Sequence, residues 1–166
     1  MHALTISQPS ASLIASGEMW VDNRTWETSY RGILAIHAGS GTQYLDRQEL
    51  REMNYPTGVV VAIARLTDCV RLIDLMLWQS SGHASKRIGP RTVCELLAHK
   101  HTEGPFLWVL SNVIALPSPI AVKGQTKLWE WDAPGGLQGD YEREVSLRAA
   151  HALRTAREAD LERESR

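Results

Sequence analysis

The chain has 166 residues, of which 43% are apolar and 22% are charged, and this composition is typical of one globular domain with a real core. The formal net charge of -1 provides no general positive field for nucleic acid, although a local basic patch is compatible with it. Because there is no membrane-length apolar run, no signal-peptide pattern and no Cys/His cluster with zinc spacing, we expect a cytoplasmic protein without membrane contact, metal or cofactor.

The first half of the chain is predicted to form short strands separated by turns and two helices. Leu4 to Ile6 is a short apolar run typical of a strand. A helix is predicted from Pro9 to Ser16, with Ser7 as its N-cap and Gly17 as its stop signal. A second helix is predicted over residues 42–54. Three segments rich in β-branched or aromatic residues are predicted strands: Trp20 to Trp26, Ile33 to Ala38 and Gly58 to Leu72.

The second half mixes helical segments, a basic loop and further strands. Phe106 to Leu116 is a predicted strand, "PSP" a break, "IAVKG" a short strand with a turn, and "KLWEWD" the final strand. From Gln138 onward six Arg and seven acidic residues flank a thin apolar stripe, which predicts a long surface helix. We therefore expect an α+β chain with a domain over residues 1–136 and a C-terminal helical extension over residues 137–166.

The segment "WVDNRTW" places an acid and a base on one face of a strand. Because side chains alternate across a strand, Trp20, Asp22, Arg24 and Trp26 would share that face. Buried charges must pair or bind a charged group, since an unpaired buried charge is costly. The pair is therefore either a structural salt bridge or the wall of a cleft. In a cleft, Arg24 would bind a phosphate or a base, Asp22 would orient it, and a tryptophan would stack on the base.

Four other residues are candidates for the same cleft. The helix start after Ser7 offers backbone donors to an anion and Gln8 could contact a base edge, or the two could form a plain helix cap. His37 is the one candidate for a catalytic acid or base, with a hydrogen-bonded histidine at a barrel rim as the alternative. Lys123 lies in a turn, where it could bind phosphate or remain solvated.

Several motifs, taken together and in order, resemble those of ASCH domains, the homology domain of the activating signal cointegrator. They are "LTISQPSASLIASGEMWVDNRTWETSYRGILAIHAG", "YPTGVVVAIARLTDC", "GPFLWVL" and "IAVKGQTKLWEWD", and they extend from Ala3 to Asp132. The resemblance implies a small PUA-like β-barrel with flanking helices and a cleft beside the first helix. It also implies an association with RNA or modified nucleotides. Some ASCH-like proteins are amidohydrolases on acylated nucleosides, and ribonuclease activity has been attributed to others.

The family signature Gly-x-Lys-x-x-Glu-x-Arg corresponds here to Gly17, Met19, Asp22 and Arg24. Glycine and arginine are retained, glutamate is replaced by the shorter aspartate, and lysine is replaced by methionine. A thioether cannot act as a base, a nucleophile or a phosphate clamp, which argues against amidohydrolase activity. A second departure is Ser10, where close relatives often have an aromatic residue.

Three functions remain open on this basis. The first is a module that binds RNA or a nucleotide weakly, and it is the one that we favour. The second is a small hydrolase of RNA or modified nucleosides that uses His37 with Asp22 or Lys123. The third is a protein-interaction module, in which the C-terminal helix docks or associates with a second copy.

Overall fold

The computed structural model of the chain describes residues 1–41, 45 and 55–164. Apart from position 45, the helix predicted over residues 42–54 lies outside the described residues. The chain divides into two units, Met1–Trp131 and Asp132–Arg166. Each unit is described by itself.

The first unit contains eight strands and three helices within its described residues. In chain order they are β1 (His2–Ile6), α1 (Ser10–Ser16), β2 (Val21–Arg24), β3 (Gly32–Ala38), β4 (Val59–Arg71), α2 (Leu72–Ser80), β5 (Arg87–Ile88), β6 (Arg91–Thr92), α3 (Val93–Ala98), β7 (Phe106–Ala121) and β8 (Leu128–Glu130). The strands predicted over Trp20 to Trp26, Ile33 to Ala38 and Gly58 to Leu72 are all present, with the first shortened at both ends.

Six of the strands form one curled sheet in the order β2-β7-β4-β3-β1-β8, a half-barrel. β1 runs parallel to β3, and the other neighbouring pairs of this sheet are antiparallel. β5 and β6 pair with each other in a separate two-stranded sheet. The predicted α+β class, with a small barrel-like sheet and flanking helices, is confirmed.

β7 is longer than the sequence indicated. The prediction of a break at "PSP" followed by a separate short strand is wrong, because one strand runs through to Ala121. The pairing nevertheless shifts there: Ala62 pairs with Ala115, whereas Val60 pairs with Ile120, so the residues between them on β7 bulge out of the ladder. A proline has no N–H to donate to a ladder, and a bulge is where a strand tolerates it.

Two clusters of buried side chains lie on opposite faces of the sheet. Along β7, Trp108 and Leu110 belong to the first cluster, whereas Leu107 and Val109 belong to the second. This alternation is the pleat of a strand that is buried on both faces. α1 packs on the first cluster through its buried Ile14, and α2 and α3 supply side chains to the second.

The second unit is built around α4 (Leu137–Glu164), a helix of 28 residues in the place predicted for a C-terminal helix. Its exposed surface includes Leu147 and Leu153, together with ion pairs between residues three or four positions apart. None of the helices formed by the described residues is long and apolar enough to cross a membrane.

Candidate ligand-binding site

Asp22 and Arg24 form an ion pair on β2, as the alternation of the strand predicted. Arg24 Nε donates to Asp22 Oδ2 at 2.5 Å, and Arg24 Nη2 donates to the carbonyl oxygen of Thr5 at 3.0 Å. The Asp22 side chain is 6% exposed and that of Arg24 is 20% exposed. The carboxylate is therefore enclosed, while part of the guanidinium remains in contact with solvent.

The pair opens into a cavity of about 330 Å³, which we call the ion-pair cavity. Its walls come from the end of β1, the start of α1, β2 and the loop before β7. The lining residues are Thr5, Ile6, Ser7, Ser10, Met19, Asp22, Asn23, Arg24 and Glu103. A cavity of this size lies at the small end of the range found for sites that bind small organic ligands.

The environment of Asp22 opposes its ionisation. Burial raises the pKa of this carboxyl, while the charge and the hydrogen bond of Arg24 act in the opposite direction. Loss of the arginine would leave an uncompensated buried acid, which is far more costly than loss of an exposed ion pair.

Two backbone donors at the start of α1, where the sequence suggested an anion site, have partners within the protein. Ser7 is not the N-cap: the capping position is Pro9, and no side chain caps the helix. The Ala11 amide donates to the Ser7 carbonyl oxygen at 3.2 Å, and the Ser12 amide donates to Gln8 Oε1 at 3.1 Å. These first-turn donors are consequently occupied, although Ser7 and Ser10 do line the ion-pair cavity.

Gln8 is a buried structural residue. Its Nε2 donates to the carbonyl oxygen of Pro56 at 2.7 Å, while its Oε1 accepts from α1. The amide is therefore satisfied at both ends, and Gln8 is not among the residues that line the cavity. The sequence could not indicate this, because one partner lies 48 positions away.

The two tryptophans that flank the ion pair in sequence do not line the ion-pair cavity. Trp20 stacks on His99, with ring centroids 4.1 Å apart, and the guanidinium of Arg91 lies 4.4 Å from its ring centre. Trp26 packs edge-on against Trp108 at 4.6 Å. Both indoles therefore belong to the packing of the two core clusters, and neither is placed to stack on a base in this cavity.

His37 and Lys123 line a different cavity, of about 760 Å³, which we call the histidine cavity. Besides Thr5 and His37 on β1 and β3, its lining residues are Gly39, Ser40, Gly58, Ala121, Val122, Lys123, Gly124, Gln125 and Thr126. His37 is 2% exposed, whereas Lys123 is exposed. The cleft expected around Ser7, Arg24 and Lys123 is thus divided into two cavities, and Thr5 lines both.

The ring of His37 is held from two sides. Its Nε2 lies 3.0 Å from the carbonyl oxygen of Val122, and Trp129 packs edge-on against the ring at 5.8 Å. Burial lowers the pKa of His37, and the hydrogen bond to Val122 opposes this. A neutral imidazole is therefore favoured, and its second nitrogen, Nδ1, is buried without a partner among the described residues.

Thr5 and Asn23 line the ion-pair cavity and were not identified from the sequence. Thr5 supplies a carbonyl oxygen to Arg24, and Asn23 accepts from the amides of Glu103 and Gly104 and so fixes the loop that closes the ion-pair cavity. The position of Asn23 between Asp22 and Arg24 was the one feature of the sequence that could have indicated its place in the site. Within the described residues no group of His, Cys, Asp or Glu could hold a metal ion.

Met19 occupies the position at which the family signature has a lysine. It is 4% exposed, belongs to the first core cluster and also lines the ion-pair cavity. Its thioether therefore contributes an apolar surface where a relative would present an ammonium group.

Comparison with known proteins gives one curated relative and several solved structures. The relative is the human protein Activating signal cointegrator 1, which is 25% identical over 146 residues, or 78% of this chain. The match covers 22% of the cointegrator, so this chain spans about a fifth of that protein's length. No family model matches the chain.

The solved structures include the ASCH protein of Zymomonas mobilis. This protein is 16% identical, with a TM-score of 0.45 over 79% of this chain and 87% of its own. A serine-to-alanine mutant of the same protein is 18% identical, with a TM-score of 0.46 over 88% of this chain and 94% of its own. The sequence match to the cointegrator from which the ASCH domain takes its name, joined to the ordered motifs from Ala3 to Asp132, supports the resemblance of this chain to ASCH domain proteins.

Proposed function

We propose that this protein is an RNA- or nucleotide-binding module whose ligand lies in the ion-pair cavity. The observation that carries the proposal is the state of Arg24. Its described hydrogen bonds use Nε and one N–H of Nη2, so three of the five guanidinium donors have no partner among the described residues. A rigid, partly exposed guanidinium at the wall of a small cavity is suited to a phosphate or to a base edge.

The pair with Asp22 supports this role by fixing the guanidinium in advance. A side chain that is held in place loses less conformational entropy when a ligand binds. Asp22 is buried, so the contact is not exposed to competing water in the way that a surface pair is.

The rest of the cavity supports a small, partly planar ligand. Ser7 and Ser10 offer hydroxyl groups, while Met19 and Ile6 offer apolar surface against which a base could pack. Because the lining has a single cation and one further acid, Glu103, we expect weak binding with few phosphate contacts. ASCH domains are generally associated with RNA, which agrees with this chemistry.

The proposal is tested by titrating single-stranded RNA oligomers into Arg24→Ala and into a matched control. The control is Arg31→Ala, which removes the same side chain from a half-exposed pair with Asp68 that does not line the cavity. We expect Arg24→Ala to lose about 1.5–3 kcal/mol of binding free energy, the value of a hydrogen bond to a charged group. Arg31→Ala should bind like the parent.

A second variant separates binding from folding. Arg24→Ala leaves Asp22 as a buried unpaired acid, so Asp22→Asn combined with Arg24→Ala removes that penalty. If this double variant melts near the parent temperature and still binds RNA with the parent affinity, Arg24 is a structural residue and the proposal is wrong.

A further inference from the structure

The histidine cavity adjoins the ion-pair cavity, and Thr5 is the residue that separates them. The backbone carbonyl of Thr5 accepts from Arg24, which lines the ion-pair cavity. Its hydroxyl faces the other way: Oγ1 donates to the Gln125 carbonyl oxygen at 2.8 Å and accepts from Trp129 Nε1 at 3.2 Å. The two cavities are therefore neighbours that meet at Thr5.

The imidazole of His37 forms part of the wall of the histidine cavity. A carbonyl oxygen can only accept, so the contact between Nε2 and Val122 O requires the proton on Nε2 and leaves a lone pair on Nδ1. This nitrogen is buried and has no donor among the described residues, in a side chain that is 2% exposed. Because almost none of its surface is accessible, Nδ1 is part of the closed wall of the cavity and is not a contact for a ligand.

Gly124 is fitted to this edge of the imidazole ring. A Cβ at position 124 would lie 2.6 Å from His37 Nδ1 and 2.3 Å from its Cε1, so no side chain can occupy this place without displacing the ring. The backbone at position 124 can therefore pack directly against His37 Nδ1 because glycine has no Cβ.

Lys123, next to this glycine, supplies positive charge. It is exposed and lines the histidine cavity together with the polar residues Ser40, Gln125 and Thr126. Each cavity therefore combines one cation with hydroxyl, amide or imidazole groups: Arg24 in the ion-pair cavity and Lys123 in the histidine cavity. This repetition of the same chemistry on both sides of Thr5 indicates a ligand with a repeating charged unit.

We propose that the two cavities are neighbouring subsites for two linked nucleotides of one strand. One nucleotide contacts Arg24, and the next lies in the histidine cavity with its phosphate near Lys123. This inference rests on the proposed function, since it assigns a second subsite to the same ligand. A dinucleotide would then gain from both subsites at once, as linked binding groups do.

The test compares nucleoside 5′-monophosphates with 5′-phosphorylated homodinucleotides of the four RNA bases, titrated by calorimetry into the full chain. The parent protein should bind at least one dinucleotide about tenfold or more tightly than its mononucleotide. Lys123→Gln should remove most of this advantage and leave mononucleotide affinity unchanged. Lys127→Gln, a lysine of the same loop that lines neither cavity, should change neither affinity and so controls for general charge.

The possible results separate the two proposals. If mononucleotides and dinucleotides bind equally, both depend on Arg24, and Lys123→Gln is without effect, the ion-pair cavity is the whole site and the second subsite is wrong. If Lys123→Gln and Lys127→Gln weaken binding equally, the effect is general electrostatics, and this also contradicts the second subsite. If neither class of ligand binds, the proposed function itself fails.

Discussion

Arg24 combines a structural and a binding capacity in one side chain because a guanidinium has five donors. Two of them bond to Asp22 on the same strand and to Thr5 on β1, and the other three have no partner among the described residues. A lysine at this position could carry the charge but could not hold both contacts in a fixed plane. If the proposed function holds, the fold and the ligand both require an arginine at this position.

His37 makes a pH-dependent contribution to stability. Burial lowers its pKa in the folded state, so between that value and the unfolded value of about 6.5 the unfolded chain binds more protons. The free energy of unfolding consequently falls as pH decreases through this window. His37→Gln keeps an N–H donor for Val122 but does not titrate, so its melting temperature should fall less than that of the parent between about pH 7.5 and about pH 5.5.

The matched control for this measurement is His151→Gln, on the exposed surface of α4. The change in melting temperature between the two pH values should be the same for this variant as for the parent. Equal pH dependence in His37→Gln and the parent would show that His37 is not the group responsible.

Side-chain roles were predictable where the partner is close in sequence. The ion pair between Asp22 and Arg24 followed from strand alternation, because two residues on one strand face are neighbours whatever the rest of the fold does. Gln8 and Trp20 could not be assigned in this way. Their partners, Pro56 and His99, are brought to them only by the tertiary fold, so the same polar or aromatic side chain could equally have faced a cleft.

At the level of elements, β2 and the loop before β7 are joined by one side chain. Asn23 Nδ2 donates to the His101 carbonyl oxygen at 2.7 Å, and Asn23 Oδ1 accepts from the amides of Glu103 and Gly104, each at 3.0 Å. Asn23→Ala should therefore lower the free energy of unfolding by about 1–3 kcal/mol, measured by urea denaturation.

Asn23→Asp is the graded comparison, because it retains the acceptor and loses the donor. It should be destabilised less than Asn23→Ala if the two amide contacts carry the effect. A pair of variants with unfolding free energies within about 0.5 kcal/mol of the parent would mean that the loop is held by other contacts.

Strands were predicted correctly where a run of β-branched residues was not interrupted by proline. β4 was predicted almost to its ends, since its β-branched run is bounded by Gly58 on one side. β7 was divided in the prediction because proline is a strong strand breaker, and single-sequence rules do not show that a bulge can absorb two of them.

Because the chain divides into two units, removal of the second unit tests whether the first folds without it. The residues of both core clusters lie within Met1–Trp131, so a chain that ends at Gly136 should keep a cooperative thermal transition and the far-UV signature of its sheet. We expect a change in association state or solubility, measured by sedimentation, because the C-terminal helix is the predicted self-association element. A truncated chain without a melting transition would show that α4 is required for the fold.

For the molecule as a whole, charge sets the expected salt dependence of ligand binding. The net charge is -1, and the two cavities present one cation each, Arg24 and Lys123. Neutralisation of one or two phosphates of a single strand gives a slope of log affinity against log salt of about -0.7 to -1.4. Titration of an RNA oligomer at several salt concentrations measures this slope, and a value steeper than about -4 would require a basic surface other than these two cavities.

The order of the six-stranded sheet has a consequence for solubility at high concentration. Its two outer positions are taken by β2 and β8, which have four and three residues and are the shortest strands in that sheet. An outer strand exposes unpaired backbone groups that can recruit a strand from a second molecule, and a short one offers few of them. The long strands β4 and β7 lie at interior positions, where each has a neighbouring strand on both sides over part of its length. The shortness of the outer strands limits edge-to-edge aggregation, and these strands also carry the charged residues Asp22, Arg24 and Glu130.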